Sequence, residues 1–352
     1  MKVALITDLH FGARSDNILF DSFFAEFYKN CFFPLLKANP DIEAVFILGD
    51  VFDRRKYVNY NLLRSCKEYF FTPLSKTKLP VTILVGNHDC YFKNTNDVNS
   101  LELLLSEYKN ITILKDPKEI CLDGLNILLV PWIFNEKFPE SLKIIDRSVS
   151  PVCFGHFEIA GFEMHMGQTN DHGLDRKMFD KFDLVLTGHF HHKSSDGLIT
   201  YLGNPYEITW SDYNDPRGFH VFDTKTLDLK FIENPFKMFH KIYYDDLGAQ
   251  EEYDFNTFTG KYIKCIVVNK KDYFKFDQFI EKLYQSNPAE LKIIEDLDEF
   301  NEMQDLAEGA DVEDTISLLG HYVDSIETDM NKEKLKSTLK SLYIEASATE
   351  KN

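Results

Sequence analysis

The sequence predicts a layered α/β fold that is followed by a smaller α/β domain and a helical tail. Three observations support this fold class. Short apolar runs alternate with longer segments of helical period, similar runs continue with fewer helices between them, and the alternation starts again after Phe236. A chain of 352 residues with 44% hydrophobic content can bury the cores of about two domains.

The first half of the chain alternates strand and helix patterns. The apolar runs VALIT, AVFIL and VTILV begin at Val3, Ala44 and Val81, and segments of helical period at 16–37 and 59–76 separate them. Further strands are expected at 125–130, 152–155, 184–187, 199–202, 219–223 and 229–232. Because fewer helices separate these later runs, we expect the second half to form a mixed sheet.

A smaller unit follows the main domain. It has a strand pattern in YIKCIVV, a helix pattern at 275–284 and another strand pattern in LKIIED. Apolar residues then recur at steps of four and three from Val312 to Met330 and from Leu335 to Ala346, as in two amphipathic helices. We therefore expect a main domain at 1–235, a small α/β domain at 236–300, and an acidic linker with a helical tail at 301–352.

The charge of the chain is unevenly distributed. A net charge of −18 is unfavourable for binding nucleic acid, whose phosphates normally attract a basic surface. Residues 290–330 hold fourteen acidic residues and one lysine, a local charge of −13, which leaves −5 for the other residues. An acidic run of this kind is usually a solvated surface. The main body is only mildly acidic, so nucleic acid is not excluded as a ligand.

Two features bear on where the protein acts. No apolar run approaches the roughly 20 residues that cross a bilayer, and Asp8 and His10 interrupt the N-terminal apolar stretch. The six cysteines are widely spaced and form no CxxC pair, so we expect reduced thiols. These features predict a cytoplasmic protein without a membrane span.

Polar side chains follow five of the expected strands at their carboxyl ends. They are Asp8 and His10 in LITDLH, Asp50 and Asp53 in FILGDVFD, Asn87 and His88 in ILVGNHD, His156 in VCFGHF, and His189 and His191 in LVLTGHFHH. In open α/β sheets, the carboxyl ends of the strands border the binding crevice. Glycines at 49, 86, 155 and 188 suit sharp turns with the backbone close to a bound ion.

Seven of these side chains are typical metal ligands, namely two aspartates, one asparagine and four histidines. This set without a thiolate suits Mn, Fe or Zn, and it is too large for one tetrahedral ion. Two ions that share one carboxylate would use all seven side chains as ligands. A structural role is the alternative for any single cluster, since a lone histidine such as His156 is more often a hydrogen-bonded structural residue. The ordered set of five clusters favours the metal interpretation.

The spacing within DLH and HFH also makes a prediction. In an extended backbone, residues two apart point to the same side, so both ligands of each triplet would face one site. Phe190 would then face the apolar layer, and His192 would turn away from the metals.

The ordered motifs DxH, GDxxD, GNHD, GH and GHxH resemble those of the calcineurin-like metallophosphoesterase superfamily, over residues 1–233. Longer strings narrow the resemblance to the SbcD-type DNA repair nucleases, and most of all to the recombination-endonuclease subunits of T-even-like phages. These strings include LLVPWIF, CFGHFEIAGF and YLGNPYEITWSDYNDPRGFHVFDT. The resemblance implies a four-layer α/β/β/α sandwich with a small α/β capping domain and a C-terminal helical tail.

The resemblance also implies roles for the site residues. Asp8, His10, Asp50 and His191 would hold one metal ion, and Asp50, Asn87, His156 and His189 would hold the other, with Asp50 as the bridge. In this family the ions are typically manganese. His88 would serve as general acid for the leaving oxygen or stabilise its charge.

Asp53 departs from some relatives, which have a histidine at this position. In phosphoprotein phosphatases the second aspartate of a similar GDxxDR string orients the catalytic histidine. We therefore hypothesise that Asp53 accepts a hydrogen bond from His88 and fixes its tautomer. Arg54 and Arg55 are candidates for contact with DNA phosphates, although a solvated arginine pair is an equal alternative.

The implied function is that of a metal-dependent DNA nuclease subunit in a recombination and double-strand-break repair complex. Within the same superfamily, a phosphoprotein phosphatase or a small-molecule phosphodiesterase is the alternative, although phosphatases have GNHE where this chain has GNHD and lack the GHxH motif. A non-catalytic scaffold is a further alternative, which the complete ligand set disfavours.

The implied partners are DNA and an SbcC-like ABC-type ATPase, whose coiled coil the tail would bind unless it folds back on its own domain. A homodimer is also implied, because helices near 59–76 and 101–108 form a dimer interface in the family. The apolar residues there are Leu62, Leu63, Tyr69, Phe70, Leu101, Leu104 and Leu105, and core packing is their default role.

Overall fold

A computed structural model describes residues 1–165, 167–248 and 252–295, together with Val323, Lys332 and Lys336. The chain divides into two compact units, Met1–Ile293 and Ile294–Asn352. The predicted linker and helical tail lie almost wholly outside the described residues. The domain boundaries at 235 and 300 stay predictions.

The strands and helices have these bounds. The strands are β1 (Lys2–Ile6), β2 (Ile42–Ile47), β3 (Val81–Leu84), β4 (Ile111–Leu114), β5 (Lys118–Leu122), β6 (Leu125–Val130), β7 (Val152–His156), β8 (Glu163–His165), β9 (Gln168–Thr169), β10 (Leu184–Gly188), β11 (Ser194–Ser195), β12 (Ile199–Tyr201), β13 (Gly218–Asp223), β14 (Leu229–Glu233), β15 (Phe239–Asp245), β16 (Tyr262–Asn269) and β17 (Glu290–Ile294). The helices are α1 (Ala13–Asp16, a single turn), α2 (Ile18–Phe27), α3 (Phe33–Ala38), α4 (Tyr60–Cys66), α5 (Thr72–Lys76), α6 (Ser100–Leu105), α7 (Phe138–Arg147) and α8 (Tyr273–Gln285).

Two six-stranded sheets form the main body. The first has the order β14-β13-β1-β2-β3-β4 and the second β11-β12-β10-β7-β6-β5. Strands β1 to β4 run parallel to one another, as do β6, β7, β10 and β12. Strand β13 runs antiparallel to β1, β5 to β6, and β11 to β12. The carboxyl ends of the parallel strands in each sheet therefore lie along a common edge.

Three apolar cores define four layers. Between the sheets, alternate residues such as Leu5, Phe46, Phe154 and Leu186 pack together because successive strand residues face opposite sides. The other face of the first sheet packs on helices α2 to α6, and the other face of the second sheet packs on α7. The predicted α/β/β/α sandwich is confirmed.

The smaller α/β part contains the sheet β15-β16-β17 and helix α8. Its own core holds Ile242, Cys265, Phe279 and Leu283. Strand β15 lacked a sequence prediction, as did β4, β5 and α7. The three strands lie at sheet edges. Lys118 and Glu119 are exposed in β5, and Thr112 in β4 and His240 and Lys241 in β15 interrupt the apolar residues, so these strands lack the continuous apolar run that marks a central strand.

Both long predicted helices contain a π-helical turn, at Tyr28–Phe32 and at Lys67–Phe71. The pattern at 16–37 therefore folds as α2, a π turn and α3, and the pattern at 59–76 folds as α4, a π turn and α5. Both π turns contribute aromatic side chains to the core around Phe11.

The apolar residues considered for a dimer interface pack into the core of the first unit. Leu62, Phe70, Leu101 and Leu105 are buried, and the other three are partly buried against the same core. Within the parts of the chain that the structure describes, no helix is both long and apolar enough to span a bilayer.

Candidate metal centre

Loops from both sheets meet at the common edge and bring seven predicted ligands together. Asp8 and His10 follow β1, Asp50 follows β2, and Asn87 follows β3 of the first sheet. His156 ends β7, while His189 and His191 follow β10 of the second sheet. Two groups result, Asp8 with His10 and His191, and Asp50 with His156 and His189, in each of which the ligand atoms lie within 4.8 Å of one another.

In the first group, two imidazoles point their Nε2 atoms at each other. The Nε2 atoms of His10 and His191 lie 2.9 Å apart, and the Asp8 Oδ1 atom lies 3.9 Å from that of His10. Two ring lone pairs at this distance repel unless a proton or a cation lies between them. Asp8 is fully buried, and Thr7 Oγ1 and the His189 amide donate hydrogen bonds to its Oδ2 atom.

In the second group, Asn87 joins the two histidines. Its Oδ1 atom lies 3.0 Å from His156 Nε2 and 3.1 Å from His189 Nδ1, and Asp50 Oδ2 lies 3.2 Å from His156 Nε2. The group with Asn87 holds the four side chains that were predicted for one ion. The first group holds three of the four predicted for the other ion. The assignment of individual ligands and the bridging role of Asp50 stay predictions.

The backbone at the site is strained. Asp8, His10, Asp50 and His189 have φ values of 54°, 43°, 50° and 93°, in a region that non-glycine residues rarely adopt. Such strain persists only where the surrounding structure fixes it, and it concentrates at functional sites. The expectation that DLH and HFH are extended is therefore wrong, since both triplets lie beyond their strands. His189 and His191 belong to different groups, whereas Asp8 and His10 share one.

Two glycines let the loops approach closely. A Cβ atom at Gly86 would lie 2.2 Å from Asp50 Oδ1, and one at Gly49 would lie 2.4 Å from His156 Nδ1. Even alanine at either position would displace a ligand. The prediction that these glycines allow close approach is supported, although the atoms that they accommodate are ligand side chains.

Main-chain carbonyl groups set the orientation of two histidines. His156 Nδ1 lies 2.6 Å from the Leu48 carbonyl oxygen, and His88 Nδ1 lies 2.6 Å from the Asp53 carbonyl oxygen. A ring nitrogen that donates to a carbonyl leaves Nε2 for a ligand or a proton. In both residues Nε2 is therefore the atom available for chemistry.

The hypothesis for Asp53 needs correction. His88 hydrogen-bonds the main-chain carbonyl of Asp53, whereas the Asp53 carboxylate faces His10, with Oδ1 3.3 Å from Nδ1. The contact with His10 has ion-pair distance but is not aligned as a hydrogen bond. Sequence reasoning chose the wrong acceptor because it compared side chains only. Asp53 thus contacts His88 through its main-chain carbonyl and His10 through its carboxylate.

Burial and neighbouring charges shift the pKa values of the site. Burial raises the pKa of Asp8, whereas the nearby His156 and His88 outweigh burial and hold the pKa of Asp50 well below its usual range. Burial opposes protonation of His10, but the carboxylates of Asp53, Asp50 and Asp8 raise its pKa to about 10.

One histidine in each group shows the opposite trend, a pKa lowered by burial. Burial lowers the pKa of His189 to about 3, assisted by His156, so this imidazole is neutral and offers a lone pair. Burial together with the nearby His10 likewise holds the pKa of His191 well below its usual range. Two neutral imidazoles, two buried carboxylates and an amide oxygen form a donor set that fits divalent cations of borderline hardness.

Asp89, the last residue of GNHD, is a positioning residue that sequence reasoning missed. Its carboxylate is fully buried and accepts hydrogen bonds from the amides of Val51, Phe52 and Gly86. Burial and the nearby Asp50 raise the pKa of Asp89 to about 6. It therefore ties the loop after β2 to the loop after β3.

Arg217 is a second missed residue, and it supports the loop after β10. Its fully buried guanidinium pairs with Asp212 at 2.8 Å and Asp215 at 2.7 Å, and donates to the His191 carbonyl oxygen. His192 Nδ1 lies 2.8 Å from Asp215, so His192 points away from the metal ligands, as predicted. Phe190 packs in the apolar layer on the outer face of the second sheet, where its ring stacks on Tyr201. The string SDYNDPRGF was the available signal for this network.

Arg54 and Arg55 follow Asp53 at the rim of the site, and both are partly exposed. Arg54 lies 3.4 Å from Asp16 and over the ring of Tyr57. Contact of either arginine with DNA stays a prediction.

Comparison with known proteins places this centre in a family. Residues 1–193 match the family model described as calcineurin-like phosphoesterase. The chain belongs to the calcineurin-like phosphoesterase family. This family uses divalent metals, in agreement with the two ligand groups.

Three relatives of this phosphoesterase carry nuclease names. It is 31% identical to exonuclease subunit 1 of Enterobacteria phage T4, over 98% of this chain and 99% of the relative. It is 26% identical to the SbcD component of the nuclease SbcCD from Staphylococcus epidermidis and 22% identical to that from Staphylococcus saprophyticus. Those matches cover 68% and 66% of this chain, and 68% of each relative.

Replacement of Arg217 by alanine should destabilise the protein and weaken metal binding. Asp212 and Asp215 would be left buried without their cation, which costs about 3–5 kcal/mol, and the His191 loop would lose its donor. Denaturant unfolding measures the first effect, and calorimetric titration with Mn²⁺ measures the second. Arg176→Ala is the matched control, because this exposed arginine also pairs with two aspartates. Equal stability of the two variants would contradict a supporting role for the network.

Proposed function

We propose that this phosphoesterase is the nuclease subunit of a recombination and double-strand-break repair complex, and that it hydrolyses DNA phosphodiesters with two manganese ions. The observation that carries the proposal is the pair of ligand groups with His88 beside them. The full-length similarity to a phage exonuclease subunit supports DNA as the substrate. A phage-encoded subunit would act in the host cytoplasm.

The ligand groups and His88 would have separate roles in phosphodiester hydrolysis. Two divalent ions held by them would neutralise phosphate charge and lower the pKa of a bound water. The His88 amide donates to Asp50 Oδ1 at 2.8 Å, which fixes the histidine against a predicted ligand of both ions. Because its Nδ1 is held by the Asp53 carbonyl, His88 can transfer a proton from Nε2 to the leaving oxygen.

The rival functions fit the chain less well. In phosphoprotein phosphatases GNHE replaces GNHD, and here Asp89 occupies that last position with three backbone amides around a short side chain. A glutamate would be one methylene too long for this buried site. A scaffold without catalysis is disfavoured because all seven predicted ligand side chains lie at the site.

Replacement of His88 by asparagine should lower the rate of DNA cleavage by about 10²–10⁴-fold, since asparagine cannot act as a general acid. The measurement is manganese-dependent cleavage of end-labelled single-stranded and duplex DNA, with metal binding followed by calorimetry. Metal affinity should be retained. His172→Asn is the matched control, because His172 is exposed. Cleavage of para-nitrophenyl phosphate but not DNA by the wild type would instead support a phosphatase.

We propose that the C-terminal tail binds the coiled coil of an SbcC-like ABC-type ATPase. The spacing of apolar residues from Val312 to Met330 suits docking on a coiled coil. Because the body outside residues 290–330 still has a net charge of −5, its own affinity for DNA should be modest, and a partner would add binding surface.

A chain shortened to end at Gly309 should lose co-purification with the ATPase. The shortened chain should still cleave single-stranded DNA, which shows that the metal centre remains folded. If the shortened chain still co-purified with the ATPase, the proposed role of the tail would be wrong.

We propose that the protein is a homodimer through helices α4 and α6. The exposed apolar residues on these helices are Tyr60 and Leu103, at 89% and 69% exposure. Light scattering should give twice the chain mass of 41.1 kDa, and Tyr60→Arg with Leu103→Glu should return it to the single mass. Tyr284→Arg, at an exposed position on α8, is the control. A wild-type mass of one chain would exclude the dimer.

A further inference from the structure

A cavity of about 240 Å³ opens beside the metal ligand His156. Trp132, Phe157 and Leu174 are among the apolar residues that line it, and Glu158 lines it as well. The ring centroid of Trp132 lies 4.9 Å from that of His189 and 6.0 Å from that of His156. The cavity therefore lies directly beside the second ligand group, and His156 belongs to both.

We propose that this cavity receives one unpaired base of the DNA strand, next to the phosphodiester at the metal centre. The inference rests on the proposed nuclease function and adds the form of DNA that is cut. Pockets for drug-sized ligands measure about 300–1,000 Å³, so this smaller cavity suits a single heterocycle. A paired base cannot enter, because it must leave the helical stack first. The preferred substrate is thus a strand that is unpaired at the cleaved position.

Trp132 is suited to stack on such a base. It lies two residues beyond the end of β6, and its amide donates a hydrogen bond to the Val85 carbonyl oxygen at 2.9 Å. This bond links the backbone of Trp132 to the loop that carries Asn87 and His88. A base stacked on the indole would therefore have a defined position relative to the phosphodiester.

Glu158 is the acidic residue among those that line the cavity, and a carboxyl group there would favour some occupants over others. Its main-chain oxygen accepts a hydrogen bond from Leu174 at 2.8 Å, and its Oε1 atom lies 3.4 Å from Asn170 Nδ2. A carboxyl group in this wall repels a second phosphate or another anion. It accepts hydrogen bonds from the N–H groups of a base, as acidic residues do from cytosine.

The carboxyl group of Glu158 also predicts which base the cavity would prefer. Guanine presents two adjacent N–H donors, at N1 and at its amino group, which match the two oxygens of a carboxylate. Thymine presents one N–H between two carbonyl oxygens, which a carboxylate repels. Guanine should therefore be favoured and thymine disfavoured in the cavity.

Cleavage of a labelled single-stranded oligonucleotide with one abasic position tests the proposal within one substrate. In the wild-type protein, the abasic position should reduce cleavage at one adjacent phosphodiester by roughly tenfold, while more distant positions serve as internal controls. In Trp132→Ala, cleavage of the intact strand should fall by a similar factor, and the abasic position should have no further effect. Trp132→Phe should retain the wild-type pattern because phenylalanine still stacks.

Trp210→Phe is the matched control, since Trp210 packs on Phe239 and does not line the cavity. An unchanged cleavage profile at the abasic position in the wild type would overturn the proposal, as would a tenfold effect that persists in Trp132→Ala.

Glu158→Gln should reduce the preference for guanine over thymine by several-fold, and an unchanged preference would exclude Glu158 from base selection. Failure of the wild type to cleave any DNA would instead refute the proposed function.

A binding measurement does not depend on cleavage. Trp132 and Trp210 are the two tryptophans of the chain, so Trp210→Phe leaves Trp132 as the single indole fluorophore. The measurement is made in the presence of manganese, on a protein that also carries His88→Asn to slow cleavage. A single-stranded oligonucleotide should quench the Trp132 fluorescence through base stacking. A wholly abasic strand of the same length should quench it much less. Equal quenching by both strands would show that no base reaches the indole.

Discussion

The burial of two carboxylates close together is the constraint on which the rest of the site depends. Asp8 and Asp50 come from neighbouring strands of one sheet, and both are almost wholly removed from solvent. Buried anions are costly unless opposite charge or hydrogen bonds compensate them. His156 and the main-chain amide of His189, both from the second sheet, supply part of this compensation, which requires the two sheets to pack face to face with their carboxyl edges aligned. A divalent cation bound by the same ligands would complete it.

Much of the surrounding structure stabilises the loops that carry the buried carboxylates and the histidines. Asp89 joins the loops after β2 and β3, and Arg217 fixes the loop that carries His191. The Tyr206 hydroxyl donates to the Leu9 carbonyl oxygen, so the strained segment between Asp8 and His10 is tied to the aromatic core. Strained left-handed residues persist here because the packed elements around them leave no lower-energy alternative.

The ligands alone do not identify the substrate of this phosphoesterase. A centre made of carboxylates and imidazoles can act on many phosphate esters, and fold alone does not identify the substrate. The cavity beside Trp132 and the contacts of Asp53 lie outside the ligand set. Asp53 shows how a similar motif can act differently, because its carbonyl orients His88 while its carboxylate faces a predicted ligand.

The sequence by itself determined the layered α/β class and the strands that end in ligand-type residues. Both depend on local properties, since apolar runs, helical period and strand-end residues are read within a few positions. Edge strands such as β4 and β5 and the π turns escaped prediction because their patterns depend on neighbours that pack against them. Only the tertiary structure decided which ligand atoms face one another, that the DLH and HFH segments are not extended, and that His88 bonds a carbonyl. These facts join residues up to 181 positions apart, and loop geometry at that range is set by the packing of whole sheets.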